Sequence, residues 1–338
     1  MRNKVLTAIA ALVLFAAATD RQPVAVEFRI PKGWPQPRYD FANNPLTQEG
    51  IALGRKLFYD PILSADSIVS CSSCHLSYTA FTHVDHAVSH GIRDRIGTRN
   101  SPALMNLAWG RSFMWDGAVN HLDMQALAPI SHPDEMGEDF SHVIQKLQRT
   151  ERYPELFRRA FGDEAITGER MLKALSQFEL TLISAYSKYD RVKAGAEVFT
   201  QQEAKGYALF LAHCNTCHHE PLFTTGEFAN NGLRVDTIYN DLGRMKVTGV
   251  PTDSLQFKIP TLRNIEFSFP YMHDGRFKSL RHVLDHYVEG LSPSPTLAAE
   301  LSNSNSLTKD DRTDLIAFLL TLSDRDFCFD PEHGYPKE

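Results

Sequence analysis

The chain has 338 residues, of which 43% are hydrophobic and 22% charged, with a net charge of −6. This is the balance of a soluble globular protein long enough for about two domains with sizeable cores. The negative charge argues against nucleic acid or an anionic membrane surface as a partner.

In chain order, the N-terminus reads as a secretory leader. Arg2 and Lys4 precede an apolar stretch, Val5 to Ala18, which ends in three alanines before Thr19. Fourteen residues are short for a bilayer span. Residues 1–18 are therefore set aside as a signal peptide, with an uncleaved anchor as the alternative, and the destination is the periplasm. The Pro-rich piece 31–37 reads as a loop. A helix is expected after Leu46-Thr47-Gln48-Glu49, leading towards Cys71-Ser72-Ser73-Cys74-His75.

Cys-x-x-Cys-His is the attachment signature of a c-type haem: two thiols take the vinyl groups and the His binds iron. It recurs as Cys214-Asn215-Thr216-Cys217-His218. Two covalently held haems imply redox chemistry and agree with export, since c-type haem is normally attached outside the bacterial cytoplasm. A four-cysteine zinc site is the competing reading, but zinc pairs usually lie about 15–20 residues apart. Neither that site nor a pair of disulfides explains the trailing histidines. The fifth cysteine, Cys328, has no partner in the pattern and is assigned nothing.

The two halves repeat each other. Thr47 to Phe58, with Gly54, answers Thr200 to Phe210, with Gly206, and Thr200-x-x-Glu203 has the form of a capping box. After the haem motifs Pro102-x-Leu104-x-Asn106 is echoed by Pro260-x-Leu262-x-Asn264. Phe113-Met114-Trp115-Asp116-Gly117 is echoed by Tyr271-Met272-His273-Asp274-Gly275, all at one offset of 158 residues. Apolar periodicity predicts helices near 140–147, 171–185, 280–287 and 313–322; strand signals are sparse, and 243–260 reads as a loop. The expected fold is mainly α, with two homologous c-type cytochrome domains, residues 19–195 and 196–338, each built around one haem.

These motifs resemble those of the bacterial dihaem cytochrome c peroxidases and their relatives around MauG. The resemblance covers nearly everything after the leader and includes Arg99-Asn100-Ser101-Pro102, Trp115-Asp116-Gly117 and Pro133-Asp134-Glu135-Met136. It implies an oxidoreductase that reduces hydrogen peroxide to water. Electrons would come from a small periplasmic donor, a cytochrome c or a cupredoxin, or from a protein whose side chains are oxidised. His75 and His218 become the proximal iron ligands. Glu135 becomes the distal acid–base group of the N-terminal haem, with Gln125 and Pro129 lining its pocket, and Trp115 the relay between the haems. Asn100 with the main-chain carbonyls of Ser268 and Pro270 matches a calcium site, for which oxygen ligands are suited.

The sixth ligands divide the family. Peroxidases proper close the N-terminal haem with a His near Gly91; aligned back from Arg99, that place holds Ile92, which cannot bind iron. His90 substitutes only if the loop shifts, and His83 and His86 are further candidates. An open N-terminal haem is therefore expected. At the C-terminal haem the peroxidases proper use Met, and the MauG-like branch uses Tyr, where this chain has Tyr287. An anionic Tyr oxygen stabilises oxidised iron, whereas Met raises the potential. One repeat earlier the same slot holds Pro129, which cannot ligate, so one closed and one open haem follow from the asymmetry. A packed core Tyr287, with His286 or a Met binding instead, is the alternative. MauG-type members act on their partner through a tryptophan six residues before the second haem's His; here that residue is Ala212. The reading from another class is a non-catalytic dihaem electron carrier.

Overall fold

The structure, a computed structural model, describes residues 22–337, so the leader placed at 1–18 lies outside it. The first half contributes helices α1 (Gln48–Tyr59), α2 (Cys71–Cys74), α3 (Leu127–Ser131), α4 (Phe140–Gln148), α5 (Arg152–Phe161), α6 (Gly168–Thr181) and α7 (Lys188–Lys193). Helices α8 (Gln201–His213), α9 (Met245–Thr248), α10 (Leu280–Glu289), α11 (Lys309–Leu320) and α12 (Arg325–Cys328) follow. The strands are β1 (Phe228–Ala229) and β2 (Phe257–Lys258), an antiparallel two-stranded ribbon. The fold is mainly α, and among the described residues no helix is long and apolar enough to cross a membrane.

Local chemistry explains where the long helices start. The Thr47 hydroxyl accepts from the Gly50 amide, and Thr200 and Glu203 form the reciprocal capping box expected of them. The ends differ from the simple expectation. Helix α8 runs directly into Cys214, whereas α1 stops at Tyr59, well short of Cys71. Pro61 follows, which lacks an amide donor and cannot continue a helix, and the Asp60 carboxylate caps the 3₁₀ turn Pro61–Leu63 instead. Asp60 also receives the Tyr153 hydroxyl at 2.7 Å, tying this break to α5.

The repeat is written into the packing. Helix α1 crosses α6, and α8 crosses α11. A Cβ on Gly54 would strike the Ala174 carbonyl, and a Cβ on Gly206 would strike that of Asp314, so each crossing depends on a glycine at the same place. One core forms around Leu53, Leu57, Phe58, Phe81 and Phe178, and a second around Phe210, Phe223, Leu315 and Phe318. Asn106 and Asn264 share a φ of 57°, and both reach the same central hub. Asn106 Oδ1 accepts the Ser184 amide at 2.9 Å, Asn264 Nδ2 donates to Ser184 Oγ at 2.9 Å, and Asn264 Oδ1 accepts the Asp324 amide at 2.7 Å. The hub satisfies buried polar groups from both repeats, which is what permits them to be buried.

The chain does not stay in one half. The segment 325–335 returns to the first core, where Phe327 and Cys328 are buried. An N-terminal stretch, with Phe28, Trp34 and Phe41, covers Trp109 and Phe113.

Candidate functional site

Each haem motif presents its histidine in the same way. His75 caps the C-terminus of the short helix α2, and its Nδ1 donates to the Phe81 carbonyl at 2.6 Å. His218 Nδ1 shares its proton between the carbonyls of Phe223, at 3.2 Å, and Pro260, at 3.1 Å. Holding Nδ1–H on a carbonyl fixes the tautomer and leaves Nε2 free for iron. Burial lowers the pKa of both rings, His75 to about 4, so both are neutral, as ligation requires. This donor set fits the covalent haems that the motifs imply. Among the described residues no group of three or more His, Cys, Asp or Glu side chains is placed to hold a metal ion, so the cysteine pairs do not converge on a zinc site.

Glu135 lies close enough to Cys74 for its charge to raise that thiol's pKa, which puts the carboxylate beside the first attachment motif. Its backbone is held on both sides: its amide donates to the His132 carbonyl at 3.0 Å, and its carbonyl accepts the Ile92 amide at 2.7 Å. Burial raises the Glu135 pKa above the usual glutamate range; His132 and Arg99 pull it down and do not offset this. Ile92 is buried, a packing residue whose amide steadies Glu135. The three candidate histidines form a stack, with His83–His86 centroids 5.1 Å apart and His86–His90 4.1 Å. The His90 ring lies 3.4 Å from Asp94, while its carbonyl, not its ring, meets Cys74 Sγ at 3.7 Å. Gln125 Nε2 approaches Met114 Sδ at 3.9 Å, and the Pro129 carbonyl accepts the Met136 amide.

On the second side, Tyr287 comes from α10. The Cys214 and Cys217 thiols are near enough to act on its phenol, and Asn231 hydrogen-bonds it. Burial pushes the phenol up to about 12, with the Asn231 bond opposing. The neighbouring His286 is otherwise engaged: it is buried, and its Nε2 bonds the Asn231 carbonyl at 3.0 Å.

The family model for di-haem cytochrome c peroxidase matches residues 48–198. A methylamine utilization protein MauG from Methylorubrum extorquens is 39% identical over 314 residues, 91% of this chain and 86% of that one. The chain belongs to the di-haem cytochrome c peroxidase and MauG family. A cytochrome c551 peroxidase from Nitrosomonas europaea is 31% identical, covering 83% of this chain and 82% of its own. Among solved structures, a MauG-like protein associated with microbial copper homeostasis superposes with a TM-score of 0.82 at 31% identity, over 92% of this chain and 99% of that one. This is a family of oxidoreductases that carry two haems.

In this family member the halves meet at Trp115. Its indole Nε1 donates to the Asn100 carbonyl at 2.7 Å, and the Asn100 amide donates to the His273 carbonyl at 2.7 Å. The backbone of one residue, Asn100, thus joins Trp115 to its counterpart one repeat later. Asn100 is buried, and its Nδ2 donates to the Ala87 carbonyl, which turns Oδ1 the other way. Ser268 and Pro270 sit in the turn just before Tyr271.

Four participants lacked a sequence signal of their own. Arg99 bonds Asp116 at 2.6 Å and, with two nitrogens, Asp241 of the second half at 2.6 and 3.0 Å. Arg99 stands inside a recognised motif, but nothing in the sequence pairs it with Asp241. Phe81 and Phe223 act through their carbonyls, which any residue carries. Glu179 is buried on α6 near Cys71, its pKa pushed up to about 8 by burial and then by Asp123; inside an apolar-periodic helix it reads as one polar residue.

Proposed function

We propose that the chain is a periplasmic dihaem c-type peroxidase of the MauG-like branch, with one haem domain in residues 19–195 and the other in 196–338. It would reduce hydrogen peroxide to water with electrons from a cytochrome c, a cupredoxin or another redox protein. The observation that carries the branch is Tyr287: its phenol shares an environment with Cys214 and Cys217, while the same slot in the first half is Pro129. The repeated glycine crossings and the two carbonyl-held histidines support one haem per half.

When attached, each haem supplies the electron-transfer and peroxide-cleaving chemistry. The residues do the rest. His75 and His218, with Nδ1 held on carbonyls, would hold the haem iron through Nε2. Glu135, beside Cys74 on a backbone fixed by Ile92 and His132, takes a proton from one peroxide oxygen and returns it to the departing one. Gln125 and Pro129 would line that side, Pro129 having no side-chain donor to offer a haem there. Tyr287 would offer its phenolic oxygen to the other haem. Trp115, hydrogen-bonded to Asn100, lies between the halves as the aromatic relay. Asn100 Oδ1, with the Ser268 and Pro270 carbonyls, would hold one calcium ion where the repeats meet.

A second reading, oxidation of residues on a partner protein, draws on the same tyrosine. Ala212 is exposed on α8 and offers no aromatic surface there, so a partner engaged through a tryptophan at that position is not expected. The test is to add stoichiometric peroxide to the fully oxidised protein and record absorption spectra. Reaction without prior reduction supports the proposal. Reaction only after half-reduction, with a His/Met spectrum for the second haem, selects a conventional cytochrome c peroxidase. No high-spin signal and no reaction with peroxide selects an electron carrier.

A further inference from the structure

The hydrogen bonds behind the two proximal histidines are unequal, and the segment 325–335 packs behind the shorter one. Phe81, whose carbonyl takes the His75 proton at 2.6 Å, sits in a turn with Ala80 in which both residues have positive φ, 57° and 59°. Such a conformation is unfavourable for non-glycine residues and persists only where surroundings hold it; Phe223 shares it, at 54°, so the halves differ in the cover over the turn. The first half supplies Phe58 and Phe178 against the Phe81 ring, and segment 325–335 supplies the remaining cover. Phe327 stands at 6.0 Å and His333 at 6.2 Å from Phe81, and 5.0 Å from each other. Helix α12 packs on the 3₁₀ turn Ser77–Thr79, between His75 and Phe81, and the Cys328 thiol faces the Ala80 main chain.

The segment is itself clamped. Asp324 caps α12, and His333 Nδ1 bonds the Phe327 carbonyl at 2.9 Å. From α1, Arg55 donates to the carbonyls of Gly334 and Pro331, and Tyr59 to that of His333 at 2.7 Å. In the second half Phe223 is covered by Tyr189, Phe210 and Phe318, and no returning segment lies on it among the described residues. There the carbonyls of Phe223 and Pro260 lie at 3.2 and 3.1 Å; His75 has the matching second carbonyl, that of Pro102, so the halves differ in the short 2.6 Å contact to Phe81.

We propose that Phe327 and His333 are positioning residues for the peroxide-reactive haem, pressing the Phe81 carbonyl onto His75 and making that imidazole the more electron-donating of the two. A short Nδ1–H bond raises ligand basicity and stabilises oxidised iron. This asymmetry is separate from the one at the sixth ligands, and it rests on His75 being the iron ligand.

The test uses the full-length dihaem protein with Phe327→Ala, the milder His333→Ala and the conservative Phe327→Leu, read by resonance Raman of the reduced protein and by redox titration. Both alanine variants should lower the iron–histidine stretching frequency of the first haem and raise its midpoint potential. The second haem should stay unchanged, and Phe327→Leu should keep most of the wild-type frequency and potential. A His75→Gly variant fixes the assignment: its loss of the first-haem band, with return on added imidazole, identifies the ligand. If that band is so assigned and neither alanine variant moves it or the potential, the positioning role is overturned while the haem site stands. If His75→Gly keeps the band, the ligand assignment fails and the inference fails with it.

Discussion

Glu135 has an acid–base residue's environment because its backbone is bound while its side chain is buried beside Cys74. Its raised pKa has a definite sign. A general base must be ionised, so peroxide turnover should fall as pH drops through a value above the ordinary glutamate range and be full above it. Glu135→Gln should remove this acid limb and cut turnover by about 10²–10⁴-fold, read from a pH–rate profile, with both haem spectra retained. Tyr287 makes the complementary prediction. Tyr287→Phe should open the second iron and add a high-spin ferric signal in electron paramagnetic resonance. Tyr287→Met should raise that haem's midpoint potential, because a thioether favours reduced iron where a phenolate favours oxidised iron. A wild-type spectrum in both variants would leave Tyr287 a packing residue.

At the scale of elements, the two crossings carry the fold. Gly54 and Gly206 admit the Ala174 and Asp314 carbonyls where any Cβ would collide. Gly206→Ala should therefore overpack the α8–α11 crossing and cost about 1–3 kcal/mol, seen as a lower Tm. The loss should be similar for Gly54→Ala at α1–α6. The helix pattern was legible in the chain: Thr200-x-x-Glu203 capped a helix, and the apolar segments near 140–147, 280–287 and 313–322 became α4, α10 and α11. Expected near 171–185, α6 runs from Gly168 to Thr181, its earlier start set by Thr167, which caps it by accepting the Arg170 amide. The 3₁₀ break after Tyr59 was less legible, since it depends on Asp60 meeting Tyr153 of a helix far along the chain.

At the scale of the molecule, a polar seam joins the repeats through Arg99, Asp116, Asp241, Asn100 and His273. Burial alone would raise the Asp241 pKa, but the Arg99 hydrogen bonds outweigh it and hold the carboxyl well below the usual range. A depressed folded-state value stabilises the protein above the unfolded-state pKa of about 4 and loses that contribution as pH falls. Asp241→Asn should thus flatten the acid side of a stability–pH curve and cost about 1–3 kcal/mol at neutral pH, measured by chemical denaturation. It should also slow electron exchange between the haems, since Arg99 anchors the loop carrying Asn100 to the second half. Removing calcium with a chelator should act on the same seam, lowering Tm and slowing that exchange; a protein indifferent to chelation would exclude a calcium at Asn100.

The sequence by itself determined the cofactor class and the duplication, and it nominated the proximal histidines. Covalent haem attachment needs particular residues at particular spacing, and a repeat keeps its register. It also singled out Glu135, Trp115 and Tyr287, by resemblance and by the offset between halves. Only the tertiary structure decided what holds the halves together. Arg99 found Asp241, Asn106 and Asn264 met at Ser184 and Asp324, and segment 325–335 crossed back onto Phe81. Those partners are far apart in the chain, and several act through backbone carbonyls that every residue possesses. No pattern of side chains along one dimension records such pairings; they exist once helices cross and bury their polar groups against one another.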